Sequence, residues 1–344
     1  MLDIEGNFRG KKILVTGGSG TVGSAIVRAL LKYDPEVVRV LDNDETRIFM
    51  LEQEFRGDRR LRYLIGDVRD KNRLHSALRG VDIVFHAAAL KHVASCEYNP
   101  FEAIKTNVVG LQNLIDVSID EGVKNVVFTS SDKATNPNNV MGTTKLLGEK
   151  LITAANYYKG SHDVKFSSIR FGNVLGSSGS VVPLFKEQIR TGGHVTITDH
   201  DMTRFMMSES DAINLIFRAF SLMKGGEVFV LKMPVFRVTD LAGVIIESVA
   251  PKCGYEPCDI KVQHIGVKPG EKPYEELMTE EESKRALETE DMFIILPEIN
   301  DFIQAGKYRF DGAKTAKVGM YTSRDMAALS KEDIRSFLAN AKLL

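Results

Sequence analysis

The sequence has 344 residues, of which 43% are hydrophobic, and its 45 lysines and arginines nearly balance 46 aspartates and glutamates. A chain of this length can bury a sizeable core and fits one large domain that carries a smaller lobe. The balanced charge argues against a nucleic-acid-binding protein, which usually has a strong basic excess.

No segment near the amino terminus has the pattern of a secretion signal or a membrane span. The first apolar segment, Lys12–Thr16, is too short to cross a bilayer, and Met1–Gly10 lacks an apolar stretch. Cys96, Cys253 and Cys258 lack the paired spacing of a zinc site, so reduced thiols are the simpler interpretation. We therefore expect a soluble, cytoplasmic protein that binds no metal and no membrane.

Short apolar runs alternate with amphipathic stretches of helical length through the first half of the chain. The runs that predict strands are Ile13–Thr16, Val37–Leu41, Tyr63–Ile65, Ile83–Ala87, Val126–Ser130 and Phe166–Arg170. The stretches that predict helices are Val22–Lys32, Arg47–Phe55, Arg69–Leu78, Phe101–Asp120 and Lys145–Tyr158. This alternation is typical of βαβ units, whose right-handed crossovers cover both faces of a sheet with helices. It predicts an α/β fold with a doubly wound parallel sheet of the Rossmann type.

The first predicted strand runs directly into a glycine turn and then into a helix. Gly17 permits the turn, Gly20 lets a pyrophosphate approach the backbone, and Gly23 lets helix and strand pack closely. The helix N-terminus offers free N–H groups to an anion. This context predicts a dinucleotide site. The loop residues assigned to it are Gly17, Ser19, Gly20, Thr21, Val22 and Gly23.

The residues after the second strand bear on the choice between NAD and NADP. Asp42 stands at about the spacing expected for an acid on the adenosine ribose. A carboxylate there accepts from the 2′-hydroxyl and repels a 2′-phosphate, so we expect NAD. Capping of the next helix by Asp42 is the alternative, although Asp44 is an equally good cap. Arg39 and Arg47 are the residues that could reverse the preference.

The third and fourth strands also end in residues that suit a dinucleotide. Asp67, after the third strand, could accept from the adenine amino group. The small residues after His86 would let the ligand lie against the backbone, unless they serve close helix packing. The cofactor contacts assigned in this region and beside Asp42 are Asn43, Asp67, Val68, Ala87, Ala88 and Ala89.

After Gly172 the alternation breaks down, and glycines and prolines separate irregular segments such as Val228–Met233. There is no internal repeat and no low-complexity tract. We expect residues 10–172 to form an NAD-binding Rossmann domain with the catalytic residues. Residues 173–344 are expected to form mainly a substrate-binding lobe, partly interleaved with the first domain.

Several motifs follow one another in an order that a known family shares. They are Thr16–Gly23, His86–Val93, Asn99–Glu102, Lys105–Val108, Ser130–Ala134, Met141–Lys145, Arg170–Val174, Met202–Phe205 and Lys268–Lys272. On these segments the chain resembles the extended short-chain dehydrogenase/reductase family. Within it, the chain is similar to the UDP-N-acetylglucosamine 4,6-dehydratases of flagellin glycosylation and of capsule or surface polysaccharide biosynthesis. The resemblance weakens after Pro297.

The resemblance implies a lyase whose NAD emerges unchanged from each turnover. Hydride leaves sugar C4 and returns at C6, while a base removes the C5 proton and an acid protonates the departing 6-hydroxyl. By resemblance Asp132 is the acid and Lys133 the base. We therefore expect a protonated Asp132 and a neutral Lys133, each favoured by burial. Without the surrounding match, adjacent Asp and Lys would indicate a solvated turn pair.

Met141 departs from the broad superfamily, whose redox and epimerase members usually carry a tyrosine four residues before the lysine. Helical spacing still places Met141 and Lys145 on one face, where Lys145 would hold the nicotinamide ribose. A thioether takes no proton, so Asp132, or a water relay through Ser131, is our hypothesis for the base at the C4 hydroxyl. Some dehydratases of the capsule and surface-glycan branch also carry methionine here. A core methionine in an inactive site is the alternative.

The resemblance also implies a set of contacts to a UDP-sugar. The forked guanidinium of Arg204 suits phosphate, and the carboxylate of Glu271 suits ribose hydroxyls. Asn173 would bond a phosphate or the sugar, and Lys91 would face the sugar's edge. The remaining implied contacts are Thr198 for the substrate and Asn107, Ser130 and Lys145 for the cofactor.

The sequence thus predicts an NAD-dependent UDP-N-acetylglucosamine 4,6-dehydratase that makes a UDP-4-keto-6-deoxy-N-acetylhexosamine, with a homo-oligomer as the usual expectation. The nearest alternative is the same reaction with inversion or further epimerisation at C5, because the face that Lys133 reprotonates is left open. A second alternative is a nucleotide-sugar 4-epimerase, against which the missing tyrosine and the Asp132–Lys133 pair count. A third is a non-catalytic NAD-sensing protein, which Met141 alone supports.

Overall fold

The computed structural model describes residues 3–177, 179–267, 270–298 and 308–344. Within them, the strands are β1 (Lys12–Thr16), β2 (Val37–Asp42), β3 (Leu61–Ile65), β4 (Ile83–His86), β5 (Asn125–Thr129), β6 (Lys165–Arg170), β7 (Asn173–Val174), β8 (His194–Ile197), β9 (Thr203–Met207), β10 (Val228–Leu231), β11 (Val235–Arg237), β12 (Lys261–His264), β13 (Glu276–Met278), β14 (Ala286–Glu288), β15 (Met292–Ile295), β16 (Lys314–Thr315) and β17 (Tyr321–Thr322).

The α-helices of the same residues are α1 (Ile4–Phe8), α2 (Thr21–Leu30), α3 (Glu45–Glu54), α4 (Lys71–Leu78), α5 (Val93–Tyr98), α6 (Pro100–Ile104), α7 (Gly110–Asp120), α8 (Val140–Tyr158), α9 (Val181–Gly192), α10 (Glu209–Leu222), α11 (Val238–Val249), α12 (Glu280–Ser283) and α13 (Lys331–Asn340).

Strands from both halves of the chain form one large sheet. Within the described residues its order is β16-β14-β15-β10-β6-β5-β4-β1-β2-β3. Neighbours from β3 to β10 are parallel, whereas β15, β14 and β16 pair antiparallel at one edge. The order β3-β2-β1-β4-β5-β6 is that of doubly wound dinucleotide-binding folds. The predicted fold class is confirmed.

Both faces of the sheet are buried, which explains why its strands are nearly continuous apolar runs. Ile13 and Val15 of β1 pack into one hydrophobic core, and Leu14 between them packs into another. Successive side chains of a strand point to opposite faces, so the two cores lie on the two sides of the sheet.

Two predicted helices differ from the structure by more than a shift of one or two residues at an end. The predicted helix Phe101–Asp120 is present as α6 and α7, with the π-helical turn Lys105–Val109 between them. Helix α8 begins at Val140 rather than at Lys145, because the Asn139 side chain accepts a backbone N–H of its first turn. The earlier start adds a full turn to α8.

The second half of the chain is divided between the large sheet and a smaller lobe. Strand β10 and the β14–β16 segment extend the sheet, whereas β7, β9 and β11 form a small sheet and β8 pairs with β12. Side chains of α9, α11 and α13 build a separate core over this lobe.

Two further features concern the cysteines and the character of the helices. Cys96, Cys253 and Cys258 are unpaired. Over the residues that the structure describes, no helix combines the length and the apolar character needed to span a membrane.

Candidate active site

The carboxyl ends of β1, β4 and β5 meet at one edge of the sheet. Strand β1 pairs in parallel with β4, and β4 pairs in parallel with β5. The glycine loop follows β1, the three alanines follow β4, and Ser130 to Lys133 follow β5. The predicted cofactor and catalytic segments therefore converge at the position where doubly wound sheets bind ligands.

The glycine loop has the shape that a pyrophosphate requires. Gly17 has a φ of +64°, and a Cβ there would lie 2.6 Å from the Ala88 nitrogen. A Cβ on Gly23 would lie 2.1 Å from the Gly17 carbonyl oxygen. Helix α2 begins at Thr21 with Gly20 as its N-cap, which brings no side chain to the first-turn N–H groups. These residues fit a dinucleotide whose phosphates sit on the helix N-terminus.

Asp42 lies beside the glycine loop at the end of β2. Its Oδ2 accepts from the Ser19 hydroxyl at 2.6 Å and from the Ser19 N–H at 3.1 Å. The helix that follows is capped by Asp44, which accepts from the Arg47 N–H at 3.0 Å. Arg39 donates to a backbone carbonyl of α4. The capping role thus belongs to Asp44, and the position of Asp42 suits a ribose.

Two predicted cofactor residues already have partners within the protein. Asp67 accepts from the Arg69 backbone N–H at 2.9 Å and from its guanidinium at 2.6 Å. The buried Asn107 amide bonds the Leu90 N–H at 2.8 Å, the Leu90 carbonyl at 3.0 Å and the Thr144 hydroxyl at 2.9 Å. Asn107 therefore holds the segment after β4 in place.

Asp132 and Lys133 form a direct ion pair in the turn after β5. Asp132 is buried, and its Oδ2 lies 2.9 Å from Lys133 Nζ. The Ser131 hydroxyl donates to Asp132 Oδ1 at 2.7 Å and accepts from the Lys133 N–H at 3.3 Å. Ser131 therefore orients both members of the pair.

The charge state of this pair differs from the prediction. Burial by itself raises the pKa of Asp132, but the Lys133 charge and the Ser131 hydroxyl outweigh burial and hold that pKa below its usual value. Burial by itself lowers the pKa of Lys133, but the charges of Asp132 and Glu275 outweigh it and raise that pKa. The predicted protonated Asp132 and neutral Lys133 are wrong for this structure, because direct contact stabilises both ionised forms.

Glu275 belongs to the same cluster and was not predicted from the sequence. Its buried carboxyl lies 3.8 Å from Lys133 Nζ and 3.4 Å from Arg204 Nε. Asn173 Nδ2 donates to it at 2.8 Å, and the Phe205 N–H donates to it at 2.8 Å. Burial, and then the charge of Asp132, raise the pKa of Glu275 to about 7 against the opposing charges of Lys133 and Arg204.

Among the predicted substrate residues, Asn173 and Arg204 contact Glu275, and Glu271 is joined to it through Arg204. Arg204 Nη2 pairs with Glu271 Oε1 at 3.2 Å. Burial lowers the pKa of Lys91, and the charges of Arg47 and Lys133 lower it further, so Lys91 lies within electrostatic reach of Lys133. The Thr198 hydroxyl donates to a methionine sulfur in the loop after β8, and no contact of Thr198 with this cluster is present in the described residues. Lys268 and Pro269 of the last predicted motif lie outside the described residues.

Met141 and Lys145 lie one turn apart near the start of α8. The Met141 side chain is buried in a small apolar cluster with Cys96 and Ala103. Lys145 Nζ donates to the Thr129 carbonyl at 2.8 Å and lies 4.7 Å from the centre of the Phe128 ring. Burial lowers the pKa of Lys145 to about 8, partly offset by a glutamate one turn further along α8.

A buried ionic cluster lies behind the turn that carries Asp132 and Lys133. Arg170 is fully buried and pairs with Glu149 at 2.5 Å and Glu282 at 2.9 Å. Ser130 donates to Glu149 at 2.5 Å, and Arg170 donates to the Thr135 hydroxyl at 3.0 Å. Since Ser130 and Thr135 flank Asp132 and Lys133, the cluster holds both ends of the turn between them.

Comparisons with known proteins show which family the chain is similar to. A family model described as "Polysaccharide biosynthesis protein" matches residues 13–297. An uncharacterized membrane protein of Methanocaldococcus jannaschii is 53% identical over 342 residues, 99% of each chain. A Campylobacter jejuni UDP-N-acetylglucosamine 4,6-dehydratase (inverting) is 41% identical over 315 residues, 90% of this chain and 91% of the relative. A Rickettsia canadensis UDP-glucose 4-epimerase is 38% identical over 339 residues, 96% of each chain.

Two solved structures illustrate the structural likeness. Pen from Bacillus thuringiensis superposes with a TM-score of 0.91 at 49% identity, covering 98% of this chain and 99% of Pen. A dTDP-glucose 4,6-dehydratase from Streptomyces venezuelae, solved with NAD bound, superposes with a TM-score of 0.68 at 25% identity. That match covers 76% of this chain and 86% of the dehydratase.

Proposed function

The chain belongs to the polysaccharide biosynthesis family of extended short-chain dehydrogenases/reductases, and from this premise we propose that it is an NAD-dependent UDP-N-acetylglucosamine 4,6-dehydratase. The observation that carries the proposal is the Asp132–Lys133 ion pair in the turn that directly follows β5, whose last residue, Thr129, accepts a hydrogen bond from Lys145. An acid and a base side by side suit elimination of water across C5 and C6. The relative from Campylobacter jejuni that bears this activity in its name supports the same substrate.

The dinucleotide in this proposal rests on the loop geometry. Gly17, Gly20 and Gly23 would carry the pyrophosphate, Asp42 the adenosine ribose and Lys145 the nicotinamide ribose. When bound, NAD takes a hydride from C4 of the sugar and returns it to C6. Asp42 favours NAD over NADP, since its carboxylate would repel a 2′-phosphate.

The charge state of the catalytic pair fits one stage of this reaction. In the proposed elimination, Lys133 takes the C5 proton and Asp132 gives a proton to the departing 6-hydroxyl. Lys133 is then an ammonium and Asp132 a carboxylate, which is the ionised pair that the structure contains.

The product's configuration at C5 and a rival activity are separate questions. The Campylobacter jejuni relative is named an inverting dehydratase, which favours inversion at C5 in the present chain.

A UDP-sugar 4-epimerase is the second candidate, because the Rickettsia canadensis relative is named a UDP-glucose 4-epimerase. An epimerase has no use for a C5 base and a 6-hydroxyl acid, so the Asp132–Lys133 pair favours the dehydratase.

We also propose a homo-oligomer, on the evidence of an exposed apolar surface. Helix α6 and the π-helical turn after it pack beside α8. Large hydrophobic side chains on these elements are exposed. They are Phe101, Ile104, Val109, Leu147 and Tyr158.

The test is incubation of purified protein with UDP-N-acetylglucosamine and NAD, with the product followed by NMR. A UDP-4-keto-6-deoxy sugar is expected, and its H5 couplings report the configuration at C5. Formation of UDP-N-acetylgalactosamine would overturn the dehydratase in favour of the epimerase. Retention of NAD with no change in the sugar would favour the non-catalytic alternative.

A matched pair of lysine variants tests the catalytic assignment. Lys133→Ala should lower dehydration by about 100-fold or more, the usual contribution of a general base, while bound NAD, released by denaturation and quantified, stays at the wild-type level. Lys284→Ala is the control, since its side chain is exposed and pairs with Glu281 on α12. Undiminished turnover by Lys133→Ala would remove Lys133 from the base role.

A further inference from the structure

The proposed reaction needs two proton acceptors before its acid acts. The C4 hydroxyl loses a proton when C4 is oxidised, and C5 loses a proton next. Met141 has no group that binds a proton, and the ionised Asp132–Lys133 pair already holds one. If Asp132 accepts the C4 hydroxyl proton, both members of the pair are protonated and neither can accept the C5 proton. A third group must therefore relieve Lys133 of its proton.

Glu275 is the group that the structure places in position for this. Asp132 contacts Lys133 Nζ at 2.9 Å, and Glu275 Oε1 lies 3.8 Å from the same nitrogen. Two buried carboxyls thus flank one ammonium. Besides Asp132 and Lys133, the charged group that faces Glu275 in the described residues is Arg204, whose Nε lies 3.4 Å from Glu275 Oε1. The Arg204 guanidinium keeps its proton throughout.

We propose that Glu275 holds the proton that Lys133 releases, so that Asp132 and Lys133 can accept the C4 hydroxyl proton and the C5 proton in turn. This rests on the proposed dehydratase function. In this proposal Glu275 does not contact the sugar. It acts through Lys133 and is therefore a positioning residue. The absence of a tyrosine at position 141 is what makes a third proton-binding group necessary.

The protons balance over one turnover. Lys133 first gives a proton to Glu275, and Asp132 accepts the C4 hydroxyl proton as C4 becomes a ketone. Lys133 then accepts the C5 proton while Asp132 protonates O6, the C6–O6 bond breaks and water leaves. Lys133 returns a proton to C5, and Glu275 returns its proton to Lys133. The electron pair that leaves C4 as hydride comes back at C6, so the sugar has lost one water and the protein is restored.

The surroundings of Glu275 suit a group that takes up and releases one proton. Burial and the Asp132 charge raise its pKa to about 7, so both protonation states are accessible near neutrality. The Lys133 side chain is 32% exposed, and a sugar that covers it would withdraw the ammonium from water. Loss of hydration favours the neutral forms of an ammonium–carboxylate pair, which drives the transfer when substrate is in place.

The test is a double-mutant cycle between positions 275 and 141. Glu275→Gln should lower turnover by about 100-fold in the native Met141 background. With Met141→Tyr, which supplies a separate acceptor for the C4 hydroxyl proton, the same change should cost less than about 10-fold, or about 1.4 kcal/mol. A merely structural Glu275 would cost the same in both backgrounds, and that result would overturn the proposal.

Glu227→Gln is the matched control, because Glu227 is also a buried glutamate but lies just before β10, where its carboxylate accepts a hydrogen bond from the Ser167 hydroxyl. It should leave turnover unchanged. If the wild type forms no 4-keto-6-deoxy product, the proposed function fails; if it forms the product but the cycle shows no coupling, only the role of Glu275 fails.

A trapping experiment covers the case in which Met141→Tyr does not fold. Glu275→Gln should halt after oxidation at C4, so quenching with borodeuteride should place deuterium at C4 of the recovered sugar. The affinity for UDP-N-acetylglucosamine, measured by calorimetry, should stay within about 3-fold of wild type, or about 0.6 kcal/mol. Lack of C4 deuterium in a folded, substrate-binding Glu275→Gln protein would overturn the proposal.

Discussion

His86 illustrates how a single buried residue supports the site without joining the proposed chemistry. It ends β4, and its Nδ1 lies 2.6 Å from the Thr16 hydroxyl of β1. Its ring stacks on the Phe128 ring, and Lys145 Nζ lies 4.7 Å from the centre of that Phe128 ring. Burial, and then the Lys145 charge, lower the pKa of His86 to about 3. A neutral imidazole here avoids a second positive charge behind Lys145.

The pKa of His86 predicts an acid-side loss of stability. The unfolded chain binds a proton at His86 below pH 6.5, whereas the folded chain does so only near pH 3. Between these values the stability falls with falling pH, by at most about 1.4 kcal/mol per pH unit from this group. Urea denaturation above pH 6.5 and at lower pH should show that the free energy of unfolding falls less with pH in His86→Gln than in wild type. His162→Gln, in an exposed turn, should follow the wild-type curve, and parallel curves for His86→Gln would contradict the assignment.

At the scale of elements, the β1–α2 junction combines two separate demands on glycine. Gly23 lies against the Gly17 carbonyl, where a Cβ would come to 2.1 Å, so close strand–helix packing requires it. At Gly20 a Cβ would lie 3.2 Å from that carbonyl, a tight contact that a shift of a few tenths of an ångström would relieve. The fold therefore constrains Gly23 much more strongly than Gly20, and Gly20 is the glycine whose main role in the proposal is to admit the pyrophosphate.

The two glycines should respond differently to alanine. Gly23→Ala should lower the free energy of unfolding by about 1–3 kcal/mol, the usual cost of overpacking, as measured by urea denaturation. Gly20→Ala should melt near the wild-type temperature but bind NAD at least about 10-fold more weakly, or about 1.4 kcal/mol, by calorimetric titration. Wild-type NAD affinity in Gly20→Ala would remove this loop from the pyrophosphate site.

At the scale of the whole molecule, the buried Arg170 cluster joins distant parts of the chain. Arg170 of β6 pairs with Glu149 of α8 and Glu282 of α12, and it donates to the Leu277 carbonyl of β13. Both carboxylates hold its pKa above the ordinary value against the effect of burial. The cluster thereby connects the parallel sheet to the segment that carries Glu275.

Removal of this guanidinium should destabilise the entire fold. Arg170→Met leaves Glu149 and Glu282 buried without their partner, and such a loss costs about 3–5 kcal/mol. Arg335→Met is the control, since Arg335 pairs with Glu247 at the surface and such pairs contribute about 0–1 kcal/mol. Urea denaturation measures both. A change below about 1 kcal/mol in Arg170→Met would show that the cluster does not hold the fold together.

Much of the fold and part of the site could be predicted from the sequence, because those features depend on contiguous residues. Strand and helix periods predicted the parallel sheet, and the spacing of Gly17, Gly20 and Gly23 predicted the turn at the end of β1. Asp132 and Lys133 were found because they are neighbours in the chain. Pairing of β14, β15 and β16 with the sheet was not predicted, since sheet order depends on contacts between remote segments.

The sequence by itself therefore determined the fold class and the segments that meet at the carboxyl edge of the sheet. Only the tertiary structure decided the charges in the site. Whether burial or a partner governs a pKa depends on distances through space. Lys133 lies 2.9 Å from Asp132 and 3.8 Å from Glu275, and these contacts reversed the predicted protonation of the pair. Glu275 entered the site for the same reason, because nothing in its local sequence distinguishes it from Glu276 beside it.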